Sequence, residues 1–156
     1  MSFDKITNPL KLRHLVGDME CDYIYTAGIA GEKFFIALRD EEKFLATPCK
    51  KCDITYLPPR MYCEQCFSSL EEYVEVPTGG VVDTFTLTYE DRDGEPLDKP
   101  VLVGFIRIEN TDGGIIHQLG EVDFDSVKLG MPVVAVFKDK SQRSGGLTDI
   151  EYFKPK

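Results

Sequence analysis

Cys49-Lys50-Lys51-Cys52 and Cys63-Glu64-Gln65-Cys66, two Cys-x-x-Cys pairs with ten residues between them, decide the fold of this chain. Each pair brings two sulfurs to one point within a single turn, and two such turns supply the four thiolates of a tetrahedral soft-ligand metal site. The spacing is that of a zinc ribbon, with Cys49, Cys52, Cys63 and Cys66 as the ligands of one Zn²⁺. Between the pairs Ile54-Thr55-Tyr56 is β-prone, and Pro58-Pro59 holds the chain extended toward the second turn. Two readings compete: a pair of disulfides, or iron held by the same sulfurs. Disulfides belong to oxidising compartments, and the start Met-Ser-Phe-Asp-Lys has no basic stretch followed by an apolar run. A four-thiolate metal site is therefore expected, with zinc ahead of iron. Protein fills all four positions, so the ion is expected to stabilise the ribbon and not to activate water.

At 156 residues the chain has room for a ribbon and one small domain. No stretch of eighteen apolar residues occurs, so a soluble, cytoplasmic protein without membrane contact is expected. Eighteen basic residues against twenty-seven acidic ones give a formal charge of −9. Nucleic-acid binders of ribbon or small-barrel type present a basic stripe to phosphates, and this composition argues against one.

Hydrophobic periodicity divides the chain into an N-terminal helical segment, 1–42, a ribbon, 43–76, and a barrel, 77–156. Asn8 and Pro9 open a helix whose Leu12, Leu15, Val16 and Met19 share one face, and Phe34, Phe35 and Leu38 share a face of a second helix over Glu32 to Leu38. A strand from Lys43 to Thr47 leads into the first cysteine turn. Beyond the ribbon, strands are expected at Tyr73 to Val76 and Val81 to Tyr89, where Phe85, Leu87 and Tyr89 alternate with Thr84, Thr86 and Thr88. A loop over Glu90 to Pro100 precedes a strand from Val101 to Ile108, and the Asn110-to-Gly114 turn precedes one from Ile115 to Leu119. One or two helical turns over Asp123 to Leu129, a strand from Met131 to Lys138, a loop over Asp139 to Asp149 and a strand from Ile150 to Phe153 complete the order β-β-β-α-β-β. That order is a five-stranded OB-fold barrel, in a chain that is mainly β.

Phe44-Leu45-Ala46-Thr47 running into the first pair, Leu57-Pro58-Pro59-Arg60 between the pairs, Gly79-Gly80-Val81-Val82 and Gly130-Met131-Pro132-Val133 together resemble one family across almost the whole chain. It is the OB-fold family first catalogued as domain of unknown function 35 and later linked to acyl-CoA metabolism. The resemblance implies N-terminal helices, a rubredoxin-like zinc ribbon and a C-terminal OB-fold. It also implies a hetero-oligomeric complex with a thiolase, a hydroxymethylglutaryl-CoA synthase (HMG-CoA synthase) or a hydratase acting on acyl-CoA. The family often has Gly after the second cysteine of a pair, whereas this chain has Asp53, which tolerates a left-handed backbone, and Phe67, which does so poorly.

Further chemistry is sparse. Asp91-Arg92-Asp93-Gly94-Glu95 lacks the later ligands of a Ca²⁺ loop and reads as an acidic turn. His14 and His117 accompany no nucleophile elbow or phosphate loop, and Cys21 becomes a nucleophile only if His14 approaches it. OB-folds bind ligands across strands two and three and between the flanking loops. There Lys138, Lys140 and Arg143 beside Ser144-Gly145-Gly146 suit CoA phosphates, and Gly104 beside Phe105 leaves room for a thioester arm; an ordinary solvated loop is the alternative. Leu12, Leu15, Val16, Phe34, Phe35 and Leu38 are the expected partner-docking residues, covering the barrel being the alternative. The function expected is a non-catalytic accessory subunit that binds a thiolase-type or HMG-CoA-synthase-type enzyme and helps hold acyl-CoA. A nucleic-acid-binding protein is the alternative, disfavoured because Val101 to Ile108 offers only Phe105 and Arg107 and the threonine face offers no stacking platform.

Overall fold

The computed structural model describes residues 25–91 and 93–156. The expected helix bearing Leu12, Leu15, Val16 and Met19, together with His14 and Cys21, lies outside the described residues. Helix α1, Gly28–Glu41, buries Ala30, Phe34, Ala37 and Leu38, a stripe at the i, i+4, i+7, i+8 spacing of one helical face. It is about a turn longer at its N-terminal end than the spacing of Phe34, Phe35 and Leu38 predicts, and it closes at Glu42 in the left-handed conformation. Phe34 and Leu38 are 1% and 0% exposed, so these two of the expected docking residues are corrected to core residues: their stripe is the one that covers the barrel.

Strand β1, Phe44–Cys49, is shared between two neighbours. Its N-terminal half pairs with β3, Val74–Val76, and its C-terminal half with β2, Ile54–Tyr56, both antiparallel. Phe44 at one end is fully buried, its ring 6.2 Å from Phe34, 6.1 Å from Phe137 and 6.4 Å from Phe153. Cys49 at the other end opens the first cysteine turn, so one strand joins helix, barrel and ribbon.

The second sheet holds β4, Gly79–Glu90, β5, Pro96–Ile108, β6, Gly114–Gln118, β7, Pro132–Phe137, and β8, Ile150–Pro155, in the order β6-β5-β4-β7-β8. A parallel bridge between Leu119 and Phe153, with the Gly120 N–H donating to the Phe153 carbonyl at 2.9 Å, draws the end of β6 to β8 and rounds the sheet into the expected barrel. The helical position between β6 and β7 is one 3₁₀ turn, Phe124–Ser126. The expected loop over Glu90 to Pro100 is shorter than the composition suggests, because the β4–β5 ladder runs out to Glu90 opposite Pro96. The Asp91 carboxylate closes that turn by accepting the N–H groups of Asp93 and Glu95, each at 2.9 Å.

The ribbon docks on the β5–β6 turn through a reciprocal pair. Thr55 N–H donates to the Asp112 carboxylate at 2.7 Å, and Asp112 N–H donates to the Thr55 carbonyl at 2.9 Å. Beside them Gly113 lies so close that a Cβ built there would stand 1.9 Å from the Leu57 carbonyl oxygen. Gly113→Ala must push ribbon and barrel apart; it is expected to cost about 1–3 kcal/mol, read as a fall in thermal midpoint, with a smaller fall, about 1 kcal/mol, in Asp112→Ala.

Candidate functional site

The two cysteine turns are closed by different backbone bonds but leave in the same conformation. Cys52 N–H donates to the Cys49 carbonyl at 3.2 Å, and the Phe67 N–H donates to the Cys63 carbonyl at 2.9 Å. The residue after each second cysteine is left-handed, with φ 56° at both Asp53 and Phe67. The second turn thus shares the left-handed exit of the first although its residue is bulky, a conformation that costs an L-residue about 1–2 kcal/mol.

All four Sγ atoms lie within 4.8 Å of one another, and Cys49 and Cys66 stand 3.6 Å apart. A disulfide needs about 2.05 Å, whereas the edge of a tetrahedron with metal–sulfur bonds of ~2.3 Å is about 3.8 Å. The cysteines are unbridged, and the donor set fits one tetrahedral ion. Around it the ribbon has a core of its own, with only Tyr56 and Leu70 fully buried beside Cys49 and Cys63.

Two hydroxyls orient the sulfurs. Tyr56 O–H donates to Cys63 at 3.3 Å, holding that thiol down to about 6, and the same bond pushes the Tyr56 hydroxyl up to about 12, so it remains the donor. Ser68 O–H approaches Cys66 at 2.9 Å and lowers it likewise. Cys52, against Cys66 and partly desolvated, is pushed up to about 12. A cation held by the four sulfurs would favour the thiolate form, which is the expected coupling of metal to thiolate charge.

The basic glycine loop has a different role from the one its composition suggests. The Asp149 carboxylate, 1% exposed, accepts the N–H groups of Ser144 at 2.7 Å, Gly145 at 2.8 Å and Gly146 at 3.4 Å. Burial opposes its charge, yet these N–H groups outweigh burial and hold it below the ordinary carboxyl value of 3.8. The backbone cradle expected to take a phosphate is filled from within the chain. Arg143, its side chain 6% exposed, donates to the carbonyls of Lys138 at 2.7 Å and Arg39 at 3.1 Å and pairs with Glu42, tying the loop to the end of α1. Arg143, Gly145 and Gly146 are therefore corrected from ligand contacts to structural ones, while Lys138 is half-buried and Lys140 exposed. On the inner side of Gly104 the space is taken by Leu119, since a Cβ there would stand 3.1 Å from Leu119 Cδ1. Gly104 and Phe105 together line a shallow hollow of about 220 Å³ with Thr84, Val103 and Ile116. His117 donates to or accepts from the surroundings through Nε2, 3.2 Å from the Leu147 carbonyl, with its ring against Phe153.

Phe35 remains at the surface edge of α1, where with Ala30, Pro58, Pro59, Met61 and Leu147 it lines an apolar groove of about 430 Å³. Sequence reasoning missed Tyr56, Ser68 and Asp149. Ser68, two residues after Cys66, and Asp149, three residues after Gly146, carry a local signal; the reach of Tyr56 across the ribbon to Cys63 does not.

Protein purified without chelator is expected to carry about one equivalent of metal by elemental analysis, and Cys63→Ser less than half of that. Tyr56→Phe should weaken metal affinity about tenfold in chelator competition. Asp149→Asn leaves N–H groups facing an amide and should cost about 1–3 kcal/mol at pH 7. Because the folded Asp149 carboxyl is depressed, its contribution is present above pH 3.8 and is lost as pH falls through the folded value. Denaturation curves of wild type and Asp149→Asn should therefore converge below that pH.

Two family profiles match the chain: "ChsH2, rubredoxin-like zinc ribbon domain" over residues 37–71, and "ChsH2, C-terminal OB-fold domain" over 73–138. No curated protein sequence matches it. Among solved structures, an Ltp2–ChsH2(DUF35) aldolase is 19% identical over 79% of this chain and 91% of that one, with a TM-score of 0.58, a likeness of fold. A protein of unknown function from the DUF35 family of Sulfolobus solfataricus is 31% identical over 83% of this chain and 87% of that one, with a TM-score of 0.63. With ribbon and barrel both matched and that relative spanned almost end to end, the chain belongs to the DUF35 family, with the zinc-ribbon and OB-fold architecture of ChsH2.

Proposed function

We propose that this chain is an accessory subunit that binds an acyl-CoA enzyme of thiolase, HMG-CoA-synthase or aldolase type, and that its ribbon holds zinc through Cys49, Cys52, Cys63 and Cys66. The observation that carries the reading is where the polar chemistry of the chain is spent. The four thiols converge on one point, and the glycine loop's N–H groups converge on Asp149, so both constellations hold the fold together. What faces outward is apolar: the groove at Pro58, Pro59 and Phe35, and exposed aromatics on the ribbon. An outward apolar surface on a small, strongly acidic chain suits a protein partner better than a phosphate backbone. Membership of a family whose structural neighbours include an Ltp2–ChsH2(DUF35) aldolase supports the same reading.

In this reading the zinc, with every position filled by sulfur, supplies rigidity to the ribbon. The barrel keeps Lys138 and Lys140 near the rim as the remaining contacts for CoA phosphates, and the partner's own site supplies most of the acyl-CoA contact. No helix among the described residues is long and apolar enough to cross a membrane.

Tagged chain expressed in its native cell is expected to co-purify an acyl-CoA enzyme in stoichiometric amount, identified by mass spectrometry, and to change that enzyme's turnover of acetoacetyl-CoA when added back. Recovery of nucleic acid without such an enzyme, or turnover of acetoacetyl-CoA by the isolated chain, overturns the reading. Calorimetry with CoA should show Lys138→Ala/Lys140→Ala weakening binding to the complex severalfold.

A further inference from the structure

Strand β4 is paired along its length on one side and only at its start on the other. On the β5 side the ladder runs from Gly80 to Glu90. On the β7 side it covers Gly79 to Val81; the Val82 N–H then donates to the Met131 carbonyl at 3.0 Å, and the Val82 carbonyl accepts the Gly130 N–H at 2.7 Å. From Thr84 to Tyr89 no strand lies on that side among the described residues. Every second residue there turns a backbone N–H and C=O outward without a ladder partner.

Strand edges that stay solitary are blunted by a charge, a proline or a twist. Thr84-Phe85-Thr86-Leu87-Thr88-Tyr89 has neither charge nor proline, and all but Leu87 are β-branched or aromatic. The two irregularities in the β4–β5 register, at Asp83 and Tyr89, bracket this stretch and leave Thr84 to Thr88 in unbroken register with Phe105 to Val101. Thr84 and Thr86 are exposed, whereas Phe85 and Leu87 are half-buried against the core, so the edge has a hydroxyl face and an apolar one. Phe124 flanks the apolar face, 46% exposed and with its ring 5.8 Å from that of Phe85. An edge of this make-up suits an extended segment whose side chains alternate in the same way.

The charges at the two ends of the edge select the occupant. Beyond Tyr89 the hairpin end carries Glu90, Asp91, Asp93, Glu95 and Asp98, all exposed, against Arg92 and Lys99 in the sequence; Asp91 also closes the turn. At the other end Asp83 is paired with Arg107, and the turn leading to Gly130 adds Asp123 and Asp125 against Lys128. Acids outnumber bases at both ends. A second copy of the chain, with its own net charge of −9, brings no excess of cations, and pairing about Leu87 with faces matched sets Asp83 opposite Asp91 of the other copy. The same carboxylates repel a phosphate backbone. A strand that ends in lysine or arginine is complementary to them.

We propose that the outer edge of β4 from Thr84 to Tyr89 takes an extended segment of the partner enzyme as an added strand, with lysine or arginine of that segment against the carboxylates of the β4–β5 hairpin end; this rests on the accessory-subunit reading above. Backbone hydrogen bonds hold the segment, and the hairpin end sets its direction.

The test uses the full-length chain and the enzyme recovered with it, purified separately. Residue-resolved amide hydrogen exchange is expected to show alternate amides of Thr84 to Tyr89 exchanging fast in the free chain and slowed about tenfold or more in the complex. Glu90→Lys/Asp98→Lys is expected to weaken the Kd about tenfold at low salt, with metal content unchanged, and the loss should shrink as salt rises. A complex that forms while those amides still exchange fast overturns the added strand and leaves the accessory subunit intact. Unaltered Kd in the double variant overturns the cationic occupant. Slowing of the same amides in the isolated chain as its concentration rises, with a doubled mass in sedimentation, overturns the proposal in favour of a second copy, and slowing by a single-stranded oligonucleotide overturns it in favour of nucleic acid. Failure to recover any acyl-CoA enzyme with wild type removes the accessory reading and the strand site together.

Discussion

Four sulfurs held within 4.8 Å of one another are the constraint on which this molecule depends. Without a cation they repel as thiolates or crowd as thiols, and the core around them has too little apolar surface, essentially Tyr56 and Leu70, to hold two turns and three short strands in place. The ion and the ribbon are therefore one folding unit. The ribbon in turn is not an appendage, because β1 has Cys49 at one end and Phe44 at the other, and Phe44 sits among the rings of Phe34, Phe137 and Phe153. Order at the metal is passed along six residues into the main core.

The barrel shows the same economy with anionic chemistry. A glycine-containing loop with converging N–H groups is a ready-made anion site, and here the anion is the chain's own Asp149. Arg143 completes the arrangement by reaching from the loop to the carbonyl of Arg39 and the carboxylate of Glu42, so that barrel and helix share one buried polar network. A buried guanidinium satisfied in this way has nothing left to offer a phosphate.

Surface character bears on the readings open to a ribbon joined to an OB-fold. The outer barrel face has threonines opposite Val101, Val103 and Phe105, and the exposed aromatics are divided between the ribbon, Tyr62 and Phe67, and the barrel, Tyr89 and Phe124. On the reading proposed above, this apolar area on a chain of net charge −9 is what a protein partner covers.

The metal centre and the barrel order were legible in the chain because their signals are local: paired cysteines at fixed spacing, alternation along strands, turn residues between them. By itself the sequence determined four ligands, the element order and the acidic character that weighs against nucleic acid. Only the tertiary structure decided how side chains distant in sequence were allotted. Phe34 and Leu38 look like a docking stripe until β1 and the barrel are placed beneath them. Arg143 and the glycines at 145 and 146 look like a phosphate site until Asp149 and Glu42 are brought to them, one from just downstream and the other from about a hundred residues away. Helical spacing shows that a stripe will be covered, and composition shows that a loop can bind an anion. Which partner does the covering or the binding depends on contacts between segments far apart in the chain, and those exist only once the chain has folded.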